Sequence, residues 1–241
     1  MRTEGVLLDA FGTLVTLDAP APLLRALLSE RLSVEVTEAQ AETALRAEIA
    51  YYRAHLREGV DVERVAQLHA RCAEVLRDAL PRSPRLDAEA DSGAITAILL
   101  DSLNFSVFPD VTATLRCLRE AGLRLVVASN WDATLDSVLD RVGVLELVDG
   151  VLNSAATGYA KPDGRLLERA LSLAAVAPVD AVHVGDSFRD DVGAALAAGV
   201  RPVLLARHGR AGEVERGPEE LTVPELHVIV TLSELPELLG I

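Results

Sequence analysis

From Phe108 onward, apolar runs of four to six residues alternate with helical stretches of about eleven, and this alternation constrains the fold more than any other feature of the chain. Helices are expected over Val111 to Ala121, Thr134 to Val142, from Pro162 onward, and Asp190 to Ala198. Between them lie strands Leu123 to Ser129, Val151 to Asn153, Ala181 to Gly185 and Pro202 to Leu205, with His227 to Val230 a candidate last strand. Gly5 to Asp9 has the same strand character near the start. Runs this apolar lack the polar alternation of a half-exposed sheet, so both faces must be covered. The expected fold class is α/β, a doubly wound parallel sheet.

Between about Pro22 and Leu100 the texture changes. Apolar residues recur at helical spacing, as in Leu23, Leu24, Leu27 and Leu28, and in Val65, Leu68, Cys72, Val75 and Leu76. No strand is evident there. The expected organisation is a core domain from 1–17 and 107–241 with a helical domain at 18–106 inserted in it.

Composition narrows the functional classes. With 37 acidic and 23 basic side chains in 241 residues the formal charge is −14, which repels nucleic acid and anionic membrane surfaces alike. A small anion in a local positive pocket stays compatible with that charge. No apolar run approaches the roughly 18–20 residues that span a bilayer. Met1 to Gly5 leads straight into a strand without a small-residue cleavage site, so no secretory leader is expected and a cytoplasmic setting is. Cys72 and Cys117 have neither CxxC nor zinc spacing and read as reduced, packed thiols. One lysine, Lys161, stands against 22 arginines.

Sheets of this type bind ligands beyond the carboxyl ends of their strands. Four such ends are polar: Asp9; Ser129 and Asn130; Lys161, followed by Pro162; and Gly185, Asp186 and Ser187, followed by Asp190 and Asp191. If the strands are neighbours, several carboxylates share a crevice with one ammonium and one hydroxyl. A hard cation such as Mg²⁺ suits that donor set, and a phosphoryl group completes the charge balance. Each residue also has a plainer reading. Asp9 can cap a turn, Gly12 serve as a turn glycine, and Ser129-Asn130 form a helix N-cap pair. Pro162 reads as the first residue of a helix and Asp190 and Asp191 as first-turn acids. Trp131 reads as a packing residue. Tyr51, Arg53, His55 and His69 read as a helix surface, and Gly209 to Pro218, flanked by Arg207, as a solvated loop.

Taken in order, Asp9-Ala10-Phe11-Gly12-Thr13, Ser129-Asn130, Lys161-Pro162 and Gly185-Asp186-Ser187-Phe188-Arg189-Asp190-Asp191 resemble the four motifs of the haloacid-dehalogenase-like hydrolase superfamily. The insertion after the first motif resembles that superfamily's helical cap. The Asp-x-x-Gly-Thr start with Ser129-Asn130-Trp131-Asp132 is similar to a branch named after a rhythmically expressed insect gene. The resemblance implies a Rossmann-like core and a Mg²⁺-dependent phosphatase acting on a small phosphorylated metabolite, as a monomer or homodimer. It makes Asp9 the nucleophile that forms an aspartyl-phosphate. It assigns the metal to Asp9, Asp186, Asp191 and the backbone carbonyl of Phe11, and the phosphoryl group to Ser129 and Lys161. Gly12, Thr13 and Asn130 join them as substrate-binding positions.

Phe11 departs from the phosphatase pattern, which has a proton-donating Asp two residues after the nucleophile. Phenylalanine transfers no proton, and positioned acid–base catalysis contributes about 10² to 10⁴-fold. Two other readings follow. A 2-haloacid dehalogenase needs no acid and has an aromatic residue there, although Asp186, Asp190 and Asp191 would repel a substrate carboxylate unless a cation were bound. A non-catalytic phosphate-binding or interaction protein needs no turnover at all.

Overall fold

The computed structural model describes residues 3–89, 92–207, 223 and 226–241; the stretch 209–218 lies outside them. Two compact units are present, Met1–Thr16 with Val107–Ile241, and Leu17–Ser106. The strands are β1 (Gly5–Leu8), β2 (Val15–Leu17), β3 (Phe105–Val107), β4 (Arg124–Ser129), β5 (Gly150–Asn153), β6 (Ala181–Gly185), β7 (Arg201–Leu205) and β8 (His227–Ile229). Six form one sheet in the order β5-β4-β1-β6-β7-β8, with every neighbouring pair parallel. The short strands β2 and β3, which the sequence did not announce, pair separately.

The helices are α1 (Pro20–Leu32), α2 (Glu38–His55), α3 (Val62–Ala79), α4 (Pro84–Glu89), α5 (Ser92–Ser102), α6 (Val111–Glu120), α7 (Leu135–Arg141), α8 (Ser154–Thr157), α9 (Arg165–Ala174), α10 (Gly193–Ala197) and α11 (Leu235–Leu239). None of the described helices is long and apolar enough to cross a membrane.

Strand β1 is central and wholly buried at Val6, Leu7 and Leu8. Leu8 pairs with Val127 of β4 on one side and Val184 of β6 on the other. The ends of these three strands therefore lie side by side, and the residues that follow them share one edge of the sheet. Helix α9 covers β1, β4 and β5 with Leu166, Leu167, Ala170 and Leu171, four apolar residues on one helical stripe.

Two expected helix starts shift. Pro162 does not open α9: Asp163 N donates to Ala160 O at 2.9 Å, closing a turn, and the Asp163 carboxylate accepts Arg165 N at 3.0 Å, so an acidic side chain rather than proline anchors the first turn. The helix expected from Asp190 begins at Phe188 as one π-helical turn through Val192, with Ser187 Oγ capping Asp190 N at 3.1 Å.

In the helical unit, α2 opens on a capping box between Thr37 and Gln40, and the Asp61 carboxylate caps α3 through Arg64 N. Leu24, Leu28, Leu45, Leu68, Leu76, Ile95, Ile98 and Leu99 close its core, with Cys72, which is in no disulfide, among them. A carboxylic acid interrupts that core. Glu48 is buried on α2, and burial pushes its carboxyl up to about 7 against the opposing pull of the Cys72 hydrogen bond and the His69 charge. Asp18 ties the ends of this unit together: its N–H donates to Asn104 O, and its carboxylate accepts from Asn104 Nδ2 and Ser106 Oγ.

Candidate active site

Asp9 follows β1 directly, and its backbone N–H donates to Val184 O at 2.9 Å, so the sheet continues one residue past the strand. Its Oδ1 accepts the Ser129 hydroxyl at 2.8 Å and Lys161 Nζ at 2.5 Å. The same ammonium donates to Asp191 Oδ1 at 2.5 Å. All three charged side chains are nearly sealed from water, with 2% of Lys161, 9% of Asp9 and 4% of Asp191 exposed. Asp186 is half-buried, and Asp9, Asp186 and Asp191 each bring one carboxylate oxygen within 4.8 Å of the others.

The three titratable groups divide by environment. Burial raises the Asp9 carboxyl above the usual range, and Lys161 only partly offsets this. Burial also acts on Asp191, yet the Lys161 charge and the His183 hydrogen bond hold it well below that range. Lys161 resists the downward push of burial because Asp191 and Asp9 face it, and its ammonium is held above the ordinary value. Three carboxylates against one ammonium leave the site negative. The donors are all hard oxygens, so the residues present fit a small divalent cation such as Mg²⁺. Asp191, not its neighbour Asp190, belongs to this triad.

Backbone geometry holds the acids in place. Gly12 sits at φ +91°, a left-handed value that favours glycine, and its N–H donates to Val15 O at 2.8 Å. That turn returns the chain after Asp9. Gly185 has a different reason: a Cβ there would lie 2.0 Å from Asp191 Cγ, so the missing side chain is the space the carboxylate occupies. Ser187 N then donates to Asp191 Oδ2 at 2.9 Å.

The remaining expected positions surround this centre. Asn130 brackets the Lys161 backbone, donating through Nδ2 to Lys161 O at 2.9 Å and accepting Lys161 N on Oδ1 at 2.8 Å. Ser129 and Asn130 therefore do not form a helix cap; α7 begins after Thr134. Thr13 is fully buried, and its hydroxyl has no hydrogen-bond partner. Phe11 meets Trp131 edge to face, with ring centroids 6.3 Å apart, and Trp131 Nε1 donates to Thr134 Oγ1 at 3.2 Å.

Two residues escaped the sequence reading. Arg207, grouped there with a solvated loop, is a partly buried clamp: it pairs with Asp110 at 2.8 Å, lies 3.9 Å over the Phe108 ring, and donates to Thr13 O at 2.8 Å. Asp110 also accepts Thr231 Oγ1 and Leu232 N; burial pushes its carboxyl up, but these bonds and Arg207 hold it below the ordinary range. His183, inside the apolar strand β6, reaches Asp191 Oδ1 through Nε2 at 3.0 Å. Its only sequence signal is an imidazole where the flanking residues are valine. Tyr51 and His55 stack on α2 of the helical unit, with ring centroids 4.0 Å apart.

The profile of a family described as haloacid dehalogenase-like hydrolase matches residues 3–199. The haloacid dehalogenase-like hydrolase domain-containing protein 3 of Bos taurus is 39% identical over 137 residues, which are 54% of this chain and 51% of that protein. The chain thus spans about half the length of this relative. The ribulose-1,5-bisphosphate 5-phosphatase of Halopiger xanaduensis is 32% identical over 161 residues, 66% of each chain. Among solved structures, a 2-haloacid dehalogenase from Pseudomonas syringae pv. Tomato DC3000 is 26% identical and matches 99% of both chains with a TM-score of 0.62.

Proposed function

Because the chain belongs to the haloacid dehalogenase-like hydrolase family, we propose that it is a cytoplasmic, Mg²⁺-dependent phosphohydrolase of small phosphorylated metabolites, working through an aspartyl-phosphate at Asp9. The observation that carries this reading is the buried Asp9–Lys161–Asp191 chain, joined by Ser129 and closed by Asp186 into an all-oxygen acidic triad. The name of the Halopiger relative supports the same class of reaction.

In this mechanism an Asp9 carboxylate oxygen attacks phosphorus, and the leaving oxygen departs with the electrons of the broken P–O bond. Ser129 and Lys161, whose donors now rest on Asp9, turn to the phosphoryl oxygens and bind the charge that develops there. Water then cleaves the Asp9–phosphoryl bond and regenerates the carboxylate. Asp9, Asp186, Asp191 and the Phe11 carbonyl would hold Mg²⁺, which when bound would neutralise phosphoryl charge and keep Asp9 ionised against the effect of burial. Asn130 fixes the backbone from which Lys161 reaches in, while Gly12 and Thr13 shape the turn beside the nucleophile.

Phe11 sets the substrate preference. With no proton donor two residues after Asp9, acyl, aryl and anhydride phosphates, whose leaving groups need little protonation, are favoured over alkyl esters by about 10² to 10⁴-fold. The same residue favours a second reading, a 2-haloacid dehalogenase. The triad weighs against it, because Asp186 and Asp191 repel the substrate carboxylate. A Mg²⁺ titration with p-nitrophenyl phosphate, with Asp9→Asn as control, tests the proposal. Mg²⁺-dependent turnover lost in Asp9→Asn is expected. Metal-independent halide release from a 2-haloacid would overturn it, and tight phosphate and Mg²⁺ binding without turnover would leave a phosphate-binding protein.

A further inference from the structure

His183 stands at the middle of β6, opposite Leu7 of β1 in the sheet register. Only 1% of its side chain is exposed, and Leu7 belongs to the aliphatic cluster formed with α9 and α10. An apolar side chain at this position would gain burial without leaving a polar ring in a dry environment. The imidazole makes one hydrogen bond, from Nε2 to Asp191 Oδ1 at 3.0 Å, and its Nδ1 is buried without a partner. Packing alone therefore gives no reason for a histidine here.

The bonding pattern specifies the tautomer. Ionised Asp191 only accepts hydrogen bonds, so Nε2 must carry the proton. A proton on Nδ1 would be a buried donor with nothing to receive it.

The consequence falls on Asp191. Its Oδ1 accepts Lys161 Nζ and His183 Nε2, and its Oδ2 accepts Ser187 N. A carboxylate turns easily about its last torsion. Lys161 also bonds Asp9, His183 belongs to strand β6, and Ser187 lies just after that strand, so the three donors come from different parts of the chain. Three donors therefore occupy both oxygens of the group, while one Asp191 carboxylate oxygen lies within 4.8 Å of an oxygen of Asp9 and of Asp186.

We infer that His183 is a positioning residue that locks the Asp191 carboxylate, so that Lys161 stays shared with Asp9 and Asp191 faces the cation position. This rests on the functional reading above, in which Asp191 serves the metal. Outer groups of this kind typically change metal affinity or activity about 10 to 100-fold when removed.

The experiment measures Mg²⁺ affinity by calorimetry, without turnover, in the wild type and in His183→Leu, His183→Gln and His183→Asn. It is paired with imidazole ¹⁵N chemical shifts of the metal-free wild type. His183→Leu is expected to bind Mg²⁺ about 10 to 100-fold more weakly. His183→Gln, whose amide nitrogen reaches the Nε2 position, should recover most of the loss, and His183→Asn, which is too short, should not. The spectrum should show the proton on Nε2. Equal Mg²⁺ affinity across the folded variants, or an imidazole protonated at Nδ1, overturns the inference. If His183→Leu does not fold, the Gln and Asn pair decides on the same criterion. A wild type that binds no Mg²⁺ defeats the functional reading instead, and the imidazole spectrum then decides the inference by itself.

Discussion

Lys161→Met removes the charge at the centre of the site while nearly preserving the volume and the flexible stem. In the native arrangement Nζ lies 2.5 Å from Asp9 Oδ1 and 2.5 Å from Asp191 Oδ1. The two carboxylates do not lose equally. Asp191 keeps Ser187 N–H and His183, whereas Asp9 keeps only the Ser129 hydroxyl. Asp9, already raised by burial, is the stranded group. Removing one partner of a buried ion pair costs about 3–5 kcal/mol, against about 1 kcal/mol or less for an exposed pair. Urea denaturation at pH 7 should therefore show the metal-free variant about 3–5 kcal/mol less stable than the wild type.

The pH dependence has a definite sign. Asp191 is depressed in the folded state, so its contribution is present above its unfolded value of 3.8 and is lost as pH falls below that. Lys161 is raised, so its contribution is present below 10.5 and is lost as pH rises further. The difference between wild type and variant should thus be greatest near neutrality and shrink toward strongly acidic and strongly alkaline pH. Mg²⁺ should return part of the lost stability to the variant, since a cation bound only to the folded state stabilises it by mass action. A loss of about 1 kcal/mol or less at pH 7 would refute the reasoning, since that is the signature of a solvated pair.

Other perturbations separate the remaining contributions. Lys161→Arg keeps the charge but replaces a compact ammonium with a planar fork, and it should abolish p-nitrophenyl phosphate turnover in a steady-state assay; near-normal activity would remove the argument from the chain's single lysine. Glu48→Gln tests the helical unit. Because the folded Glu48 carboxyl stands at about 7 rather than 4.5, wild-type stability should fall as pH rises between those values, by about 3 kcal/mol in all at 1.36 kcal/mol per unit. Denaturation curves across that window should lose this decline in the variant, and parallel profiles would contradict it. Gly185→Ala drives a methyl group into the space of the Asp191 carboxylate, so Mg²⁺ affinity and turnover should fall together while the sheet still forms. Phe11→Asp should raise kcat on alkyl phosphates by about 10² to 10⁴-fold and change aryl phosphates little; unchanged alkyl turnover would mean that another group already donates the proton.

What the sequence could and could not disclose follows from the range over which each signal acts. Asp9, Ser129 and Asp186 were legible because each stands at or just after the end of an apolar run, and a parallel sheet puts such ends along one edge whatever the strand order. Here β4, β1 and β6 are adjacent, the arrangement that makes their ends meet. Lys161 follows no strand, yet Asn130 grips its backbone from both sides and carries it to the same edge. That contact joins residues 31 apart and has no periodic signature. His183 was hidden by its surroundings: within β6 it reads as a core position, and only the π-helical turn at Phe188–Val192 brings the Asp191 side chain back to it. Arg207 was misread for the opposite reason, since it borders a charged, glycine-containing stretch whose texture is that of solvent while its own guanidinium faces Asp110 and Phe108. Local pattern thus exposes the acids that need a cation. Ser187, His183 and the missing Cβ of Gly185 aim Asp191 through the turn at Phe188–Val192, and the Arg207 clamp joins distant segments; neither arrangement has a periodic signature. A variant series confined to the recognised motifs would omit His183, the side chain that reaches Asp191 from within β6, so His183→Leu belongs beside Lys161→Met in any test of the site.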